Sequence, residues 1–114
     1  MSVSAFSDVV KARVMARSGG MCENCNHRQG LEYHHRRNRG MGGSRDPRTG
    51  YASNCLLLCP PCHLWATDNK RPAMEVGVVV SNFCDNPALE PVWRRDQWVL
   101  LDDEGGITPA GVVA

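Results

Sequence analysis

The sequence predicts a small α+β domain in which two short strands and a helix are stapled by a zinc ion. Three observations carry that prediction. Two cysteine pairs, Cys22-x2-Cys25 and Cys59-x2-Cys62, bracket the middle of the chain. Between them lie two short apolar runs separated by a long polar loop, and a proline-led helical stretch follows. The chain has only 114 residues, so it can bury a modest core, and domains of that size often need a staple.

Each element has its local reason. Ser7 to Arg17 reads as a helix, with Val10 and Val14 at helical spacing, Ser7 as its cap and Gly19-Gly20 as its stop. Cys22 to Cys25 is a tight metal-binding turn. Leu31 to His35 is a short strand with Leu31 and Tyr33 on one face. Arg36 to Gly50 is a polar loop rich in arginine and glycine. Asn54 opens a second strand, Cys55 to Leu58, whose leucines suggest burial. Pro60-Pro61 starts a helix running through Lys70, since proline suits a first turn where its missing N–H is not needed. Further on, Glu75 to Ser81 and Gln97 to Leu101 are strand-like and predict a small C-terminal sheet. Asp103 to Gly106 is a turn, and Thr108 to Ala114 a loose tail. No internal repeat is present. Residues 1–71 thus form the core and 72–114 a β-rich extension of the same domain.

Net charge is only +1, but it is unevenly spread. Residues 1–71 hold 11 of the 13 Lys+Arg and 5 of the 12 Asp+Glu, a balance of +6, and residues 72–114 stand at −5. A basic segment suits a polyanionic partner. No apolar run is long enough to span a membrane, and Asp8, Lys11 and Arg13 interrupt any N-terminal signal. These features predict a cytoplasmic protein, where paired cysteines stay reduced and bind metal. The even cysteine count also fits a secreted disulfide scaffold, but Cys-x2-Cys pairs seldom serve as structural disulfides. Tetrahedral zinc takes two corners from each such pair, so Cys22, Cys25, Cys59 and Cys62 make a structural zinc site. His27 is a competing ligand, read instead as a solvated loop residue. Cys55 is a small buried residue, and Cys84 has no assignment.

The same frame carries Leu31-Glu32-Tyr33-His34-His35, then the glycine-containing loop, then Asn54-Cys55-Leu56-Leu57-Leu58-Cys59-Pro60-Pro61-Cys62-His63. With the preceding Arg-Ser-Gly-Gly-Met-Cys-Glu-Asn-Cys run, this pattern resembles the HNH endonucleases over roughly Val9 to Asn69. The resemblance implies a ββα-metal (His-Me finger) core and hydrolysis of DNA phosphodiester bonds to 5′-phosphate and 3′-hydroxyl ends. It implies that His35 is the general base, that His34 and His63 hold a catalytic divalent metal such as Mg2+ or Mn2+, and that Asn54 braces the loop and orients His35. Histidine suits the base because its charge changes near neutral pH. Some family members carry another histidine one turn after the last motif residue; here that position is Thr67. Two protein ligands suit a magnesium-like ion that keeps its waters. Both His34 and His35 reach one site only if the strand ends or twists at His35, since successive strand side chains point to opposite faces.

Arg36, Arg37, Arg39, Arg45 and Arg48 are candidate phosphate contacts, with Lys70 and Arg71 extending the track. Trp65, Trp93 and Trp98 read as core or partner-contact residues. The resemblance extends to small bacteriophage-encoded members, some of which act with a packaging terminase. Two other readings stand beside the nuclease: a non-catalytic zinc-stapled DNA-binding module, and a protein-interaction adaptor using the acidic tail. Monomer and homodimer are both open.

Overall fold

The computed structural model describes residues 5–40 and 45–110. Helix α1 (Asp8–Ser18) is followed by strand β1 (Glu32–His35), strand β2 (Cys55–Leu58), and helices α2 (Pro60–Asp68) and α3 (Lys70–Glu75). Strands β3 (Val92–Arg94), β4 (Gln97–Leu101) and β5 (Ile107–Pro109) close the order. β1 and β2 form an antiparallel pair, and β3-β4-β5 form a second antiparallel sheet. No helix among the described residues is long and apolar enough to cross a membrane.

Helix α1 starts where Ser7 Oγ accepts from the Val10 N–H and ends at Gly19, whose φ of 68° only glycine takes without strain. Its exposed carbonyls are then met from the far end of the chain, where the Arg95 guanidinium donates to Ser18 O at 2.6 Å. Arg95 and Asp96 both have positive φ, the geometry of a two-residue hairpin turn between β3 and β4.

Strand β2 is buried on both faces while β1 leaves Glu32 exposed, and the register sorts the side chains. His34 pairs with Leu56 and His35 with Cys55. Leu56 and Leu58 pack with Ala66, Ala73, Val78, Val92, Val99 and Leu101, whereas Cys55 and Leu57 pack with Phe6, Val14 and Ala52. One face therefore looks towards the C-terminal half and the other towards α1. The first cluster joins residues from both sides of position 71, so the core is continuous across the sequence boundary. Cys55 is fully buried, as the sequence predicts.

A second bridge between the halves is ionic. Glu23, inside the first cysteine pair, is buried and bonded to Arg17 at 2.9 Å and Arg94 at 3.3 Å. A carboxylate so removed from water needs both cations.

Three sequence expectations are corrected here. The helix predicted through Lys70 breaks at Asn69 (φ −125°, ψ 60°) and restarts as α3. Pro72 explains the break: it has no N–H to give within a continuous helix, but it sits in the first turn of α3 where none is required. The strand expected over Glu75 to Ser81 does not form, because α3 runs to Glu75 and Gly77 turns the chain at φ +76°. A Cβ at Gly77 would run into the Pro91 carbonyl. Val78, Val79 and Val80 are apolar because they enter the core, not because they pair in a ladder. The loose tail predicted from Thr108 begins as the edge strand β5; Gly111 to Ala114 lie outside the described residues, as do positions 41–44 of the arginine loop.

Candidate metal centre and histidine cleft

The four cysteines converge. Their sulfur atoms all lie within 4.8 Å of one another, with Cys25 and Cys59 Sγ 3.5 Å apart. A tetrahedron with Zn–S bonds of ~2.3 Å has edges of about 3.8 Å, so the donor set fits a structural zinc ion. The backbone supports it. The N–H groups of Asn24 and Cys25 point at Cys22 Sγ (3.4 and 3.5 Å), and Asn24 Nδ2 donates to Cys62 Sγ at 3.2 Å. Burial alone would push the Cys22 thiol up. The N–H groups of Cys59, Cys25 and Asn24 outweigh it, and the pKa falls to about 7. His27 is exposed and stays outside the cluster, giving only its carbonyl to the Cys22 N–H.

The histidines gather on the other side of α2. A cleft of about 430 Å³ is lined by His34, His35 and His63, together with Asn38, Arg39, Thr67 and Lys70. Neighbouring residues on a helix point about 100° apart, which lets Cys62 face the sulfur cluster while His63 faces His34. The His34 and His63 rings meet edge to face, with centroids 5.1 Å apart.

Each of the two rings is held through one nitrogen. His34 Nε2 lies 2.9 Å from Val78 O. A carbonyl only accepts, so Nε2 carries the proton and Nδ1 keeps a lone pair. His63 Nδ1 lies 3.0 Å from Glu32 Oε1; a carboxylate accepts, so Nδ1 is the donor and Nε2 is the nitrogen outside that bond. Each ring is thus held by an outer partner through one nitrogen and presents the other, the usual arrangement of a metal-binding imidazole. Burial lowers the His34 pKa to about 4, keeping the ring neutral. Glu32 escaped sequence reasoning, although its place two residues before His34 puts both on one strand face. The Val78 carbonyl had no sequence signal at all, being a backbone atom 44 residues away.

His35 comes last in β1 and is oriented from the α1 side. Its ring stacks on Phe6 with centroids 3.9 Å apart and planes 16° from parallel. It shares a face with Cys55, opposite to His34, yet both line the cleft because the strand ends there.

Asn54 is fully buried and clamps the chain just beyond. Its Oδ1 accepts from Arg37 N at 2.6 Å, and its Nδ2 donates to Arg37 O at 3.2 Å and Thr49 O at 2.9 Å. Its own carbonyl accepts from Arg36 N at 2.8 Å. The asparagine therefore closes both ends of the loop onto each other.

The arginines divide into two groups. Arg36 and Arg37, read from sequence as phosphate contacts, are corrected by the structure because both are buried. The Arg36 guanidinium donates to Gly77 O, Ser53 O, Pro87 O and Glu90 O. That of Arg37 donates to Cys84 O, Asp46 Oδ2 and Thr49 Oγ1. Neither can reach a phosphate without dismantling these bonds. Arg39, Arg45 and Arg48 are exposed, as are Lys70 and Arg71. Thr67 uses its hydroxyl on His63 O, one turn back. Trp93 and Trp98 stack edge to face across β3 and β4.

Comparison with known proteins gives no match: no family model fits the sequence, and no curated protein or solved structure is significantly similar to it.

Proposed function

We propose that this protein is a metal-dependent endonuclease of the HNH type, hydrolysing DNA phosphodiester bonds. The observation that carries the reading is the meeting of His34, His35 and His63 at one cleft, the first and last each bonded to a fixed partner through one ring nitrogen.

In this reading His34 and His63 would hold a divalent ion such as Mg2+ or Mn2+. When bound, such an ion stabilises negative charge on the phosphate and the leaving 3′ oxygen. Val78 O and Glu32 each hold one ring through one nitrogen, leaving the other nitrogen as the one that would meet the ion. His35, held by Phe6, takes a proton from water as that water attacks phosphorus. Asn54 keeps the end of β1 in place through Arg37. Arg39 and Lys70 supply positive charge along the cleft rim. The cysteine site is structural and tethers the start of α2, from which His63 projects.

Cleavage of supercoiled plasmid by the purified, zinc-loaded protein tests the proposal, with magnesium or manganese added. Relaxation or linearisation is expected with wild type and loss of it with folded His35→Ala and His63→Ala. DNA binding without cleavage of any DNA form under any divalent metal would leave a zinc-stapled binding module in its place.

A further inference from the structure

Phe83 is 95% exposed, more than any other large apolar side chain among the described residues. It does not dangle. It belongs to a turn in which Cys84 N donates to Ser81 O at 3.0 Å and Phe83 N to Ser81 Oγ at 3.1 Å. The buried Arg37 guanidinium then grips the next carbonyl, Cys84 O, at 2.6 Å. Arg37 is also the residue whose backbone is clamped by Asn54. A hydrogen-bonded path therefore runs from Asn54 through Arg37, just beyond the end of β1, to the turn that carries this ring.

The position of the turn matters as much as its stiffness. Asn82, immediately before Phe83, lines the histidine cleft. Asn82 also lines an adjoining hollow of about 470 Å³ that includes Phe83 and shares Asn38 and Arg39 with the cleft. Asp85 faces that hollow as well, as does Asp46, whose carboxylate already accepts from Arg37 and the Arg48 N–H. Carboxylates repel a phosphate, but they accept from the amino groups of a base edge. The cleft side is thus cationic where a phosphate would lie, and the hollow beside it is aromatic and amide-lined.

We propose that Phe83 is a stacking platform for an unpaired nucleobase, and that the preferred substrate is DNA with single-stranded or unstacked bases beside the cut phosphate. The inference rests on the nuclease reading and deepens it by naming a substrate class. A paired base inside a duplex offers no free face, whereas any unpaired base offers a π surface to an aromatic ring. A turn whose backbone is already anchored loses little further freedom when its ring stacks, which favours binding.

The test is binding without added divalent metal, using a single-stranded oligonucleotide carrying 2-aminopurine and a blunt duplex of the same sequence. Wild type is expected to bind the single strand tighter and to quench the fluorescent base. Phe83→Ala should weaken single-strand binding about tenfold and abolish the quench, leaving the weaker duplex binding unchanged. Phe83→Trp should restore both, and Phe83→Leu should not, because it is apolar without a ring face. The side chain is exposed, so these variants should keep wild-type zinc content and thermal stability. Equal binding and quenching by wild type and Phe83→Ala, or full rescue by leucine, would overturn the stacking role while leaving the nuclease intact. A wild type that binds neither oligonucleotide would overturn this inference, while metal-dependent plasmid cleavage decides the nuclease reading separately.

Discussion

Arg36 offers the sharpest quantitative test of the fold, because its sequence context and its structural place make opposite predictions. A phosphate-binding arginine truncated to alanine would weaken DNA binding and leave stability alone. The structure instead has the Arg36 side chain fully buried, with four guanidinium hydrogen bonds of 2.8 to 3.1 Å to Gly77, Ser53, Pro87 and Glu90. Burial is costly for the charge, lowering the Arg36 pKa to about 10. Each charge-assisted bond returns ~1.5–3 kcal/mol, and each carbonyl left unpaired costs ~1–3 kcal/mol. Removing the cation also removes its desolvation penalty, so these terms partly cancel. Breaking a buried charged interaction on one side typically costs ~3–5 kcal/mol. We expect about 4 kcal/mol for Arg36→Ala, a large part of the ~5–15 kcal/mol that holds a domain together. Arg36→Lys keeps the charge but not the planar fork that spans four acceptors, and should recover only part of the loss. Urea unfolding of zinc-loaded protein, followed by far-ultraviolet circular dichroism, measures both. A loss below ~1 kcal/mol for Arg36→Ala, or intact stability with weakened DNA binding, would refute the reasoning.

The exposed arginines should behave in the opposite way. Replacing Arg39, Arg45 and Arg48 by alanine should leave the unfolding midpoint nearly unchanged and flatten the dependence of log affinity on log salt by ~0.9 for each phosphate they neutralise. An unchanged salt slope would take them out of the DNA interface. His34 predicts a pH effect. Burial lowers its pKa from 6.5 to about 4, so the unfolded chain binds the extra proton first as pH falls. The stability it contributes is complete above about pH 6.5 and is lost as pH falls towards 4, on the order of 3 kcal/mol. The acid limb of the stability curve should therefore be shallower in His34→Gln; equal slopes would count against the buried neutral ring. For the cysteine site, one equivalent of cobalt should bind with tetrathiolate charge-transfer absorption, and Cys59→Ser should lose it. Structural zinc contributes ~10–16 kcal/mol, so a strong chelator should unfold the chain. Persistence of native circular dichroism without metal would contradict the staple.

The parts of the molecule legible in the sequence are those whose physics is local. Ser7 and Gly19 mark the ends of α1 by side-chain capping and left-handed backbone, each visible within a few residues. The cysteine cluster was legible because two close pairs leave little freedom in how four thiols meet. The β1–β2 strands were legible from short apolar runs. Errors arose where a residue type has two uses. Valines 78 to 80 have the composition of a strand but fill a core beside a glycine turn. Arg36 and Arg37 have the composition of a phosphate loop, yet Arg36 satisfies carbonyls that come from 17 to 54 residues away. The outer partners of His34 and His63 divide similarly. Glu32 was readable by strand alternation, whereas the Val78 carbonyl depends on how the chain returns.

That return has a consequence for timing. The carbonyl that holds His34, three of the four that neutralise Arg36, and the second guanidinium on Glu23 all lie after residue 71. The motif residues are made first on the ribosome, yet the atoms that aim them are made last. A growing chain that has just emerged through His63 thus holds every named cleft histidine but lacks several of the bonds that order them. The latent period lasts until Arg94 is translated, 71 residues after Glu23. Ending the chain at Arg71 should accordingly give an unfolded product even with zinc present, which circular dichroism of that fragment would reveal. The acidic segment thereby completes the basic one that precedes it.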